Sequence, residues 1–110
     1  MAEQPPEFST RTIQQSPQVC LVRVSGDLDV ATSPRFKETL DAVLDTGSQT
    51  VLLDLEGVDF LDSTGISAIV VARRSLEERG ASLSIDGLSP AAERVLEIAG
   101  LLDDLRHKAD

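Results

Sequence analysis

The chain has 110 residues, a length that suits one domain with a core of ordinary size. Its 19 aspartates and glutamates outnumber 10 lysines and arginines, which gives a net charge of −9, and only 3% of its residues are aromatic. An acidic chain with few aromatic rings disfavours nucleic acid and anionic membranes as partners and favours a basic protein surface. The hydrophobic fraction of 41% is high enough for a packed core.

The cysteine content and the N-terminal residues indicate the cellular compartment. Cys20 is the single cysteine, so no internal disulfide can form and a reducing compartment is expected. Residues 1–7 are acidic and contain two prolines, without the basic and apolar regions of a secretory signal. No apolar run approaches the ~20 residues that span a bilayer. We therefore expect a cytoplasmic protein with a flexible tail at residues 1–7 and one domain at residues 8–110.

Two strands are predicted first. Residues 8–14 form a weak strand pattern, residues 15–18 a turn, and residues 19–24 a strand rich in β-branched side chains. The short connection between them favours an antiparallel hairpin. Gly26-Asp27-Leu28-Asp29 then ends the second strand.

Ser33 and Pro34 indicate the start of the first helix, with Ser33 as the N-cap and Pro34 as the first helical residue. Gly47 is the expected C′ residue of this helix. Between them an apolar stripe has the spacing i, i+4, i+7 and i+8, which is typical of one buried helix face. The stripe comprises Phe36, Leu40, Val43 and Leu44.

Residues 50–55 form a run of apolar β-formers that predicts a central strand. Because the run does not alternate with polar residues, we expect both faces of this strand to be buried. Residues 56–62 predict an acidic loop that contains Asp59 and Asp62. Ser63 is then the expected N-cap of a helix that runs from about residue 64 to residue 79 and stops at Gly80.

The remaining elements are short. Leu83 and Ile85 predict a strand, and Ser89-Pro90 a helix that ends at Gly100 with an apolar face of Val95, Leu96 and Ala99. Residues 101–110 predict a docked turn or short helix. The order β-β-α-β-α-β-α predicts an α/β fold with a mixed sheet and right-handed crossovers.

Two blocks of this sequence resemble a known family. One is Asp62-Ser63-Thr64-Gly65, preceded by Leu55-Glu56-Gly57-Val58-Asp59-Phe60-Leu61, and the other is Gly26-Asp27-Leu28-Asp29, followed by Ser33-Pro34. Their order and spacing resemble the STAS-domain anti-sigma factor antagonists of bacteria from about residue 8 to residue 105. The resemblance implies a small mixed sheet with helices packed mainly on one side.

The resemblance also implies a non-enzymatic switch that needs no cofactor. The unphosphorylated protein would bind an anti-sigma factor with serine kinase activity and thereby release a sigma factor. That kinase would phosphorylate Ser63 to end the interaction, and a serine phosphatase would restore it. An alternative is a STAS subunit of a lipid-transport or stress-signalling assembly that has no phosphoswitch.

Ser63 has two interpretations. From the pattern alone it caps its helix, since capping serines are common. As a phosphoacceptor it would hold a phosphate at the positive end of the helix dipole and add about −1.5 to −2 charges beside Asp59 and Asp62. The serine that matches Ser63 is phosphorylated in the antagonists that the chain resembles, which favours the second interpretation. Thr64 is a secondary candidate, because its hydroxyl is expected to lie inside the first helical turn.

A partner-binding face is predicted around Ser63. In the structural interpretation, Asp27 and Asp29 cap a turn, and Gly65 relieves crowding near the strand end. The resemblance instead places Asp27 in the face and leaves both interpretations of Asp29 open. The permissive backbone of Gly65 would also leave room for a partner to approach. The predicted face comprises Asp27, Asp29, Asp59, Asp62, Ser63, Thr64 and Gly65.

Other chemistry has less support. Asp54 in the central strand invites comparison with receiver domains phosphorylated on aspartate, which also need a lysine late in the chain. The lysines are Lys37 and Lys108. The single histidine, His107, is three residues from the C-terminus and has no orienting neighbour, so no nucleophilic triad is indicated. One histidine and one cysteine far apart in the chain do not indicate a metal site. Cys20 fits a small apolar residue on a packed strand better than a redox-sensitive thiol.

Overall fold

The structure, a computed structural model, describes residues 8–106. Its strands are β1 (Ser9–Gln14), β2 (Val19–Leu28), β3 (Thr50–Leu61) and β4 (Ser82–Leu88), and its helices are α1 (Ser33–Asp45), α2 (Ser63–Glu78), α3 (Pro90–Ile98) and α4 (Leu102–Leu105). This confirms the predicted order of elements, and α4 is the short helix expected within residues 101–110. The predicted tail at residues 1–7, as well as His107 and Lys108, lie outside the described residues.

The four strands form one mixed sheet in the order β1-β2-β3-β4. β1 pairs antiparallel with β2, which confirms the predicted hairpin, and its turn is closed by the N–H of Gln15, which donates to the carbonyl of Val19 at 2.9 Å. β2, β3 and β4 pair in parallel, and α1 and α2 connect them. The carboxyl ends of these parallel strands therefore meet at one end of the sheet.

One face of the sheet carries the core. Along the first half of β3, buried side chains alternate with half-buried ones such as Leu52 and Asp54, so the expectation that β3 is buried on both faces is wrong. The helices pack mainly on one side, as the fold prediction stated, and leave the Leu52 face open. The buried sheet residues of this core are Cys20, Val22, Val24, Leu28, Val51, Leu53, Leu55, Val58, Leu61, Leu83 and Ile85, and the helices add Phe36, Leu40, Val43, Ile69, Leu76, Ala92, Leu96 and Leu105.

β3 is longer than its sequence predicts. The expected loop over residues 56–62 is instead strand up to Leu61, which pairs with Leu28. The pairing with β2 shifts register between Asp54 and Gly57, and it then skips Asp59, because Gly26 is opposite Val58 and Asp27 is opposite Phe60. Such a bulge interrupts the alternation that marks a strand, which explains the wrong prediction. It also leaves Asp59 and Phe60 exposed in succession at the end of the sheet.

The helix stops were predicted correctly, whereas the N-cap of α1 and one core residue of α3 were not. Gly47, Gly80 and Gly100 follow α1, α2 and α3 with positive φ, as expected for helix stops. Ser33 does not cap α1: Thr32 is the N-cap, and Ser33 is a buried helical residue whose hydroxyl donates to the carbonyl of Asp29. In α3 the prediction of Ser89 as N-cap is confirmed, whereas Ala99 is exposed, and Ala92 takes its place in the core.

Candidate functional site

The candidate site lies where β2 and β3 end and α2 begins. Leu28 and Leu61 are the last paired residues of the two strands, and the N–H of Asp62 donates to the carbonyl of Leu28 at 3.3 Å. This pairing brings the Asp27–Asp29 segment next to the start of α2, although about 35 residues separate them in sequence. The two blocks singled out in the sequence therefore form one surface.

Asp62, not Ser63, caps α2. The backbone of Asp62 is extended (φ −109°, ψ −176°), and its carboxylate accepts a hydrogen bond from the N–H of Gly65 at 2.9 Å. The prediction that Ser63 is the N-cap is therefore wrong, because the preceding residue already supplies the acceptor and the extended backbone that a cap needs. Ser63 is the first helical residue. Its side chain is exposed, and within residues 8–106 its hydroxyl makes no hydrogen bond.

The cap assignment gives a test of stability. Asp62→Ala should lower the free energy of unfolding by about 0.5–2 kcal/mol, because the N–H of Gly65 loses its acceptor. Ser63→Ala should change it by less than about 0.5 kcal/mol, because no hydrogen bond is lost. Urea midpoints of the two variants and the parent protein provide the measurement. A larger loss for Ser63→Ala than for Asp62→Ala would contradict the cap assignment.

The two hydroxyls at the start of α2 differ in surroundings. Ser63 faces solvent, whereas Thr64 is half-buried and lines a groove between α1 and α2. The carboxylates of Asp27 and Asp59 are exposed beside this helix start. A protein that reaches this end of the sheet therefore meets the Ser63 hydroxyl before that of Thr64.

The side chain of Asp29 forms hydrogen bonds within the loop between β2 and α1. Its carboxylate accepts hydrogen bonds from the N–H groups of Ala31 at 3.0 Å and Thr32 at 3.1 Å. The hydroxyl of Thr32 in turn donates to the carbonyl of Asp27 at 2.7 Å. Of the two interpretations left open for Asp29, the geometry favours a turn cap, which holds the exposed Asp27 in position beside α2.

Gly65 lies where the first turn of α2 contacts the end of β2. The residue is buried, and a Cβ atom on it would lie 2.6 Å from the carbonyl oxygen of Leu28 and 2.7 Å from a methyl carbon of Leu61. Both distances are far below van der Waals contact. The absence of a side chain thus lets the first turn of α2 lie directly on the end of β2, as the crowding interpretation of Gly65 requires.

Gly65→Ala should therefore destabilise the fold by about 1–3 kcal/mol, since the backbone of Leu28 can only move away. Chemical denaturation of this variant next to Ser67→Ala, an exposed position on the same helix, gives the comparison. If both variants unfold at the same denaturant concentration, the close packing at Gly65 does not contribute to the free energy of unfolding.

Two exposed apolar side chains at this end of the sheet were not predicted. Phe60 is 50% exposed on β3 opposite Asp27, and Val30 is 70% exposed in the loop after Asp29. The bulge at Asp59 hid the first of these, because it breaks the alternation from which an outward position could be counted. Val30 lies between the apolar residues Leu28 and Ala31, so no contrast with its neighbours marks it in the sequence. The surface is therefore acidic and apolar together.

The structure disfavours the other chemistry considered for this chain. The carboxylate of Asp54 accepts from Arg23 Nε at 3.3 Å and from the N–H of Glu56 at 3.0 Å, so both of its oxygens are engaged, which disfavours it as a phosphoacceptor. Burial raises the pKa of the Cys20 thiol, which disfavours the reactive thiolate. Within residues 8–106, no group of acidic, histidine or cysteine side chains could hold a metal ion, and no helix is long and apolar enough to cross a bilayer.

Comparison with known proteins identifies the family. Residues 10–110 match the family model described as STAS domain. Over 82 residues the chain is 37% identical to the anti-sigma-B factor antagonist of Staphylococcus aureus (strain NCTC 8325 / PS 47), which covers 74% of this chain and 76% of the relative.

Two solved structures share the fold. An anti-sigma factor antagonist from Mycobacterium paratuberculosis superposes with a TM-score of 0.80 at 24% identity, covering 94% of this chain and 87% of the other. The Bacillus cell fate determinant SpoIIAA in its phosphorylated form gives a TM-score of 0.71 at 19% identity, covering 93% and 92%. With a family match over residues 10–110 and a curated relative at 37% identity, the chain belongs to the STAS domain family, among its anti-sigma factor antagonists.

Proposed function

We propose that this protein is a phosphorylation-controlled antagonist of an anti-sigma factor. In its unphosphorylated form it binds an anti-sigma factor that has serine kinase activity, and a sigma factor is released. Phosphorylation of Ser63 by that kinase ends binding, and a serine phosphatase restores it. The observation that carries the proposal is the exposed Ser63 hydroxyl, which is free of hydrogen bonds within residues 8–106 and lies at the junction of β2, β3 and α2.

The position of Ser63 suits a reversible phosphate. A phosphate on the first helical residue lies at the positive end of α2, where negative charge is favourable. It also adds about −1.5 to −2 charges to a surface that already contains Asp27, Asp59 and Asp62. The helix is therefore retained while the charge of the partner-binding face changes. Phosphorylated SpoIIAA, which shares the fold, is consistent with such a switch.

The rest of the proposal follows from this role. The protein is not an enzyme and needs no cofactor, because the kinase supplies the nucleotide and its magnesium. Asp27, Asp59, Asp62, Ser63 and Thr64 contact the partner, and Asp29 and Gly65 hold that face in shape. The protein acts in the cytoplasm as one domain of residues 8–110, without nucleic acid or membrane as partners.

A pull-down with Ser63→Ala as bait, analysed by mass spectrometry, tests the proposed function. This variant cannot be released by phosphorylation at residue 63, so it should retain an anti-sigma factor. The intact mass of the parent protein after incubation with that factor and ATP should increase by one phosphate. Capture of a transport or stress-signalling assembly, together with an unchanged mass, would indicate a STAS subunit without a phosphoswitch.

The acidic face should also guide association. We expect the association rate constant with the purified anti-sigma factor to fall as salt rises towards physiological strength, where the Debye length is about 8 Å. Stopped-flow measurements over that range of ionic strength provide the test. An association rate that is independent of salt would exclude attraction between the acidic face and a basic partner.

A further inference from the structure

A groove between α1 and α2 continues from the candidate site along the helical side of the protein. Its volume is about 550 Å³, and it runs from Val30 and Thr64 at one end to Leu44 and Leu76 at the other. From Thr64 to Leu76 the helix rises roughly 18 Å, at about 1.5 Å per residue, which is slightly more than three helical turns. Thr64 belongs to both the groove and the start of α2.

The groove exists because α2 presents small side chains to α1. The sheet sets the spacing between the two helices, and Ala68, Ala72 and Ser75 are too short to fill the space between them. The lining is therefore apolar and open, and Val71 on its rim is 54% exposed. Exposed apolar surface of this kind, joined to a binding face, is typical of a protein contact.

Charged side chains on the rim indicate how an occupant would be oriented. Lys37 and Asp41 lie one turn apart on α1 beside the groove, and neither forms an ion pair with another residue of the 8–106 range. A helix with apolar residues at i, i+3/i+4 and i+7, and with charges of opposite sign beside them, would complement both features.

We propose that the groove between α1 and α2 binds an amphipathic helix of the anti-sigma factor while the Ser63 face contacts the rest of that protein. This inference rests on the proposed function and extends its interface by three helical turns beyond Ser63. It predicts that Val71 and Ser75, which lie outside the acidic face, contribute to the affinity for the anti-sigma factor.

Three variants test the groove against the purified anti-sigma factor by titration calorimetry. Val71→Ser removes an exposed valine from the rim, and Ser75→Phe fills the end of the groove remote from Ser63. Ile98→Ser is the matched control, since Ile98 is 80% exposed but lies on α3 away from the groove. Denaturant midpoints establish that all three variants are folded. We expect at least a tenfold loss of affinity for Val71→Ser and Ser75→Phe and an unchanged affinity for Ile98→Ser.

The outcomes separate the two proposals. If the parent protein binds the anti-sigma factor and both groove variants bind equally well, the groove is not part of the interface and only this inference fails. If the parent protein does not bind any anti-sigma factor, the proposed function fails as well. Self-association of the parent protein in light scattering that Ser75→Phe abolishes would assign the groove to a second copy of the chain and overturn the inference.

Discussion

Ser63→Asp should bind the anti-sigma factor at least tenfold more weakly than the parent protein, whereas Ser63→Ala should bind as well as the parent. The aspartate adds a permanent negative charge to a face that already carries Asp27 and Asp59. The basic groups of the partner are expected to pair with the carboxylates already present, so a charge added at residue 63 is desolvated without a counter-charge of its own. Each 1.4 kcal/mol of that cost is about a tenfold loss of affinity. The alanine adds no charge and leaves the Asp62 cap intact.

Titration calorimetry of the two variants gives this comparison, and Thr64→Ala is the control for the neighbouring hydroxyl. Thr64 is half-buried, whereas the Ser63 hydroxyl is exposed and is not altered by the substitution. Thr64→Ala should therefore still accept phosphate from the kinase at Ser63. Equal affinities of Ser63→Asp and Ser63→Ala would show that charge at this position does not control binding.

Leu53→Ala should lower the free energy of unfolding by about 2–5 kcal/mol. Leu53 is fully buried in the central strand, and the shortened side chain leaves a cavity that the surrounding core fills only in part. Leu52 is the next residue on the same strand but lies half-buried on the open face of the sheet. Leu52→Ala should therefore cost clearly less, because water already reaches that side chain.

Urea unfolding of Leu53→Ala and Leu52→Ala, followed by circular dichroism, measures both losses under the same conditions. The pair tests the one-sided core, because both substitutions remove the same atoms from adjacent residues. Equal losses would mean that β3 is buried on both faces, as its apolar run had suggested.

Much of the fold could be predicted from the sequence because its signals are local. Ser89-Pro90 starts α3, and Gly47, Gly80 and Gly100 end α1, α2 and α3 as predicted. Hydrophobic periodicity placed the buried stripe of α1 correctly. The burial of β3 and its extension to Leu61 could not be predicted, because they depend on pairing with β2 and on which face the helices cover.

The candidate site could likewise be predicted only in part. The sequence pointed to Ser63 and its acidic neighbours, and the structure brings the two acidic segments together through the pairing of Leu28 with Leu61. The capping role was assigned to the wrong residue, since Asp62 and Ser63 are both good N-caps and only the backbone conformation distinguishes them. Exposed Phe60 and the groove between α1 and α2 depend on tertiary packing, which no local pattern encodes.

The most direct test of the phosphoswitch is calorimetric binding of the parent protein to its anti-sigma factor before and after treatment with the kinase and ATP, with the phosphate located by mass spectrometry. The proposed function predicts one phosphate on Ser63 and at least a tenfold loss of affinity, which phosphatase treatment reverses. Equal affinity of the two forms, or phosphate on Thr64 alone, would contradict it.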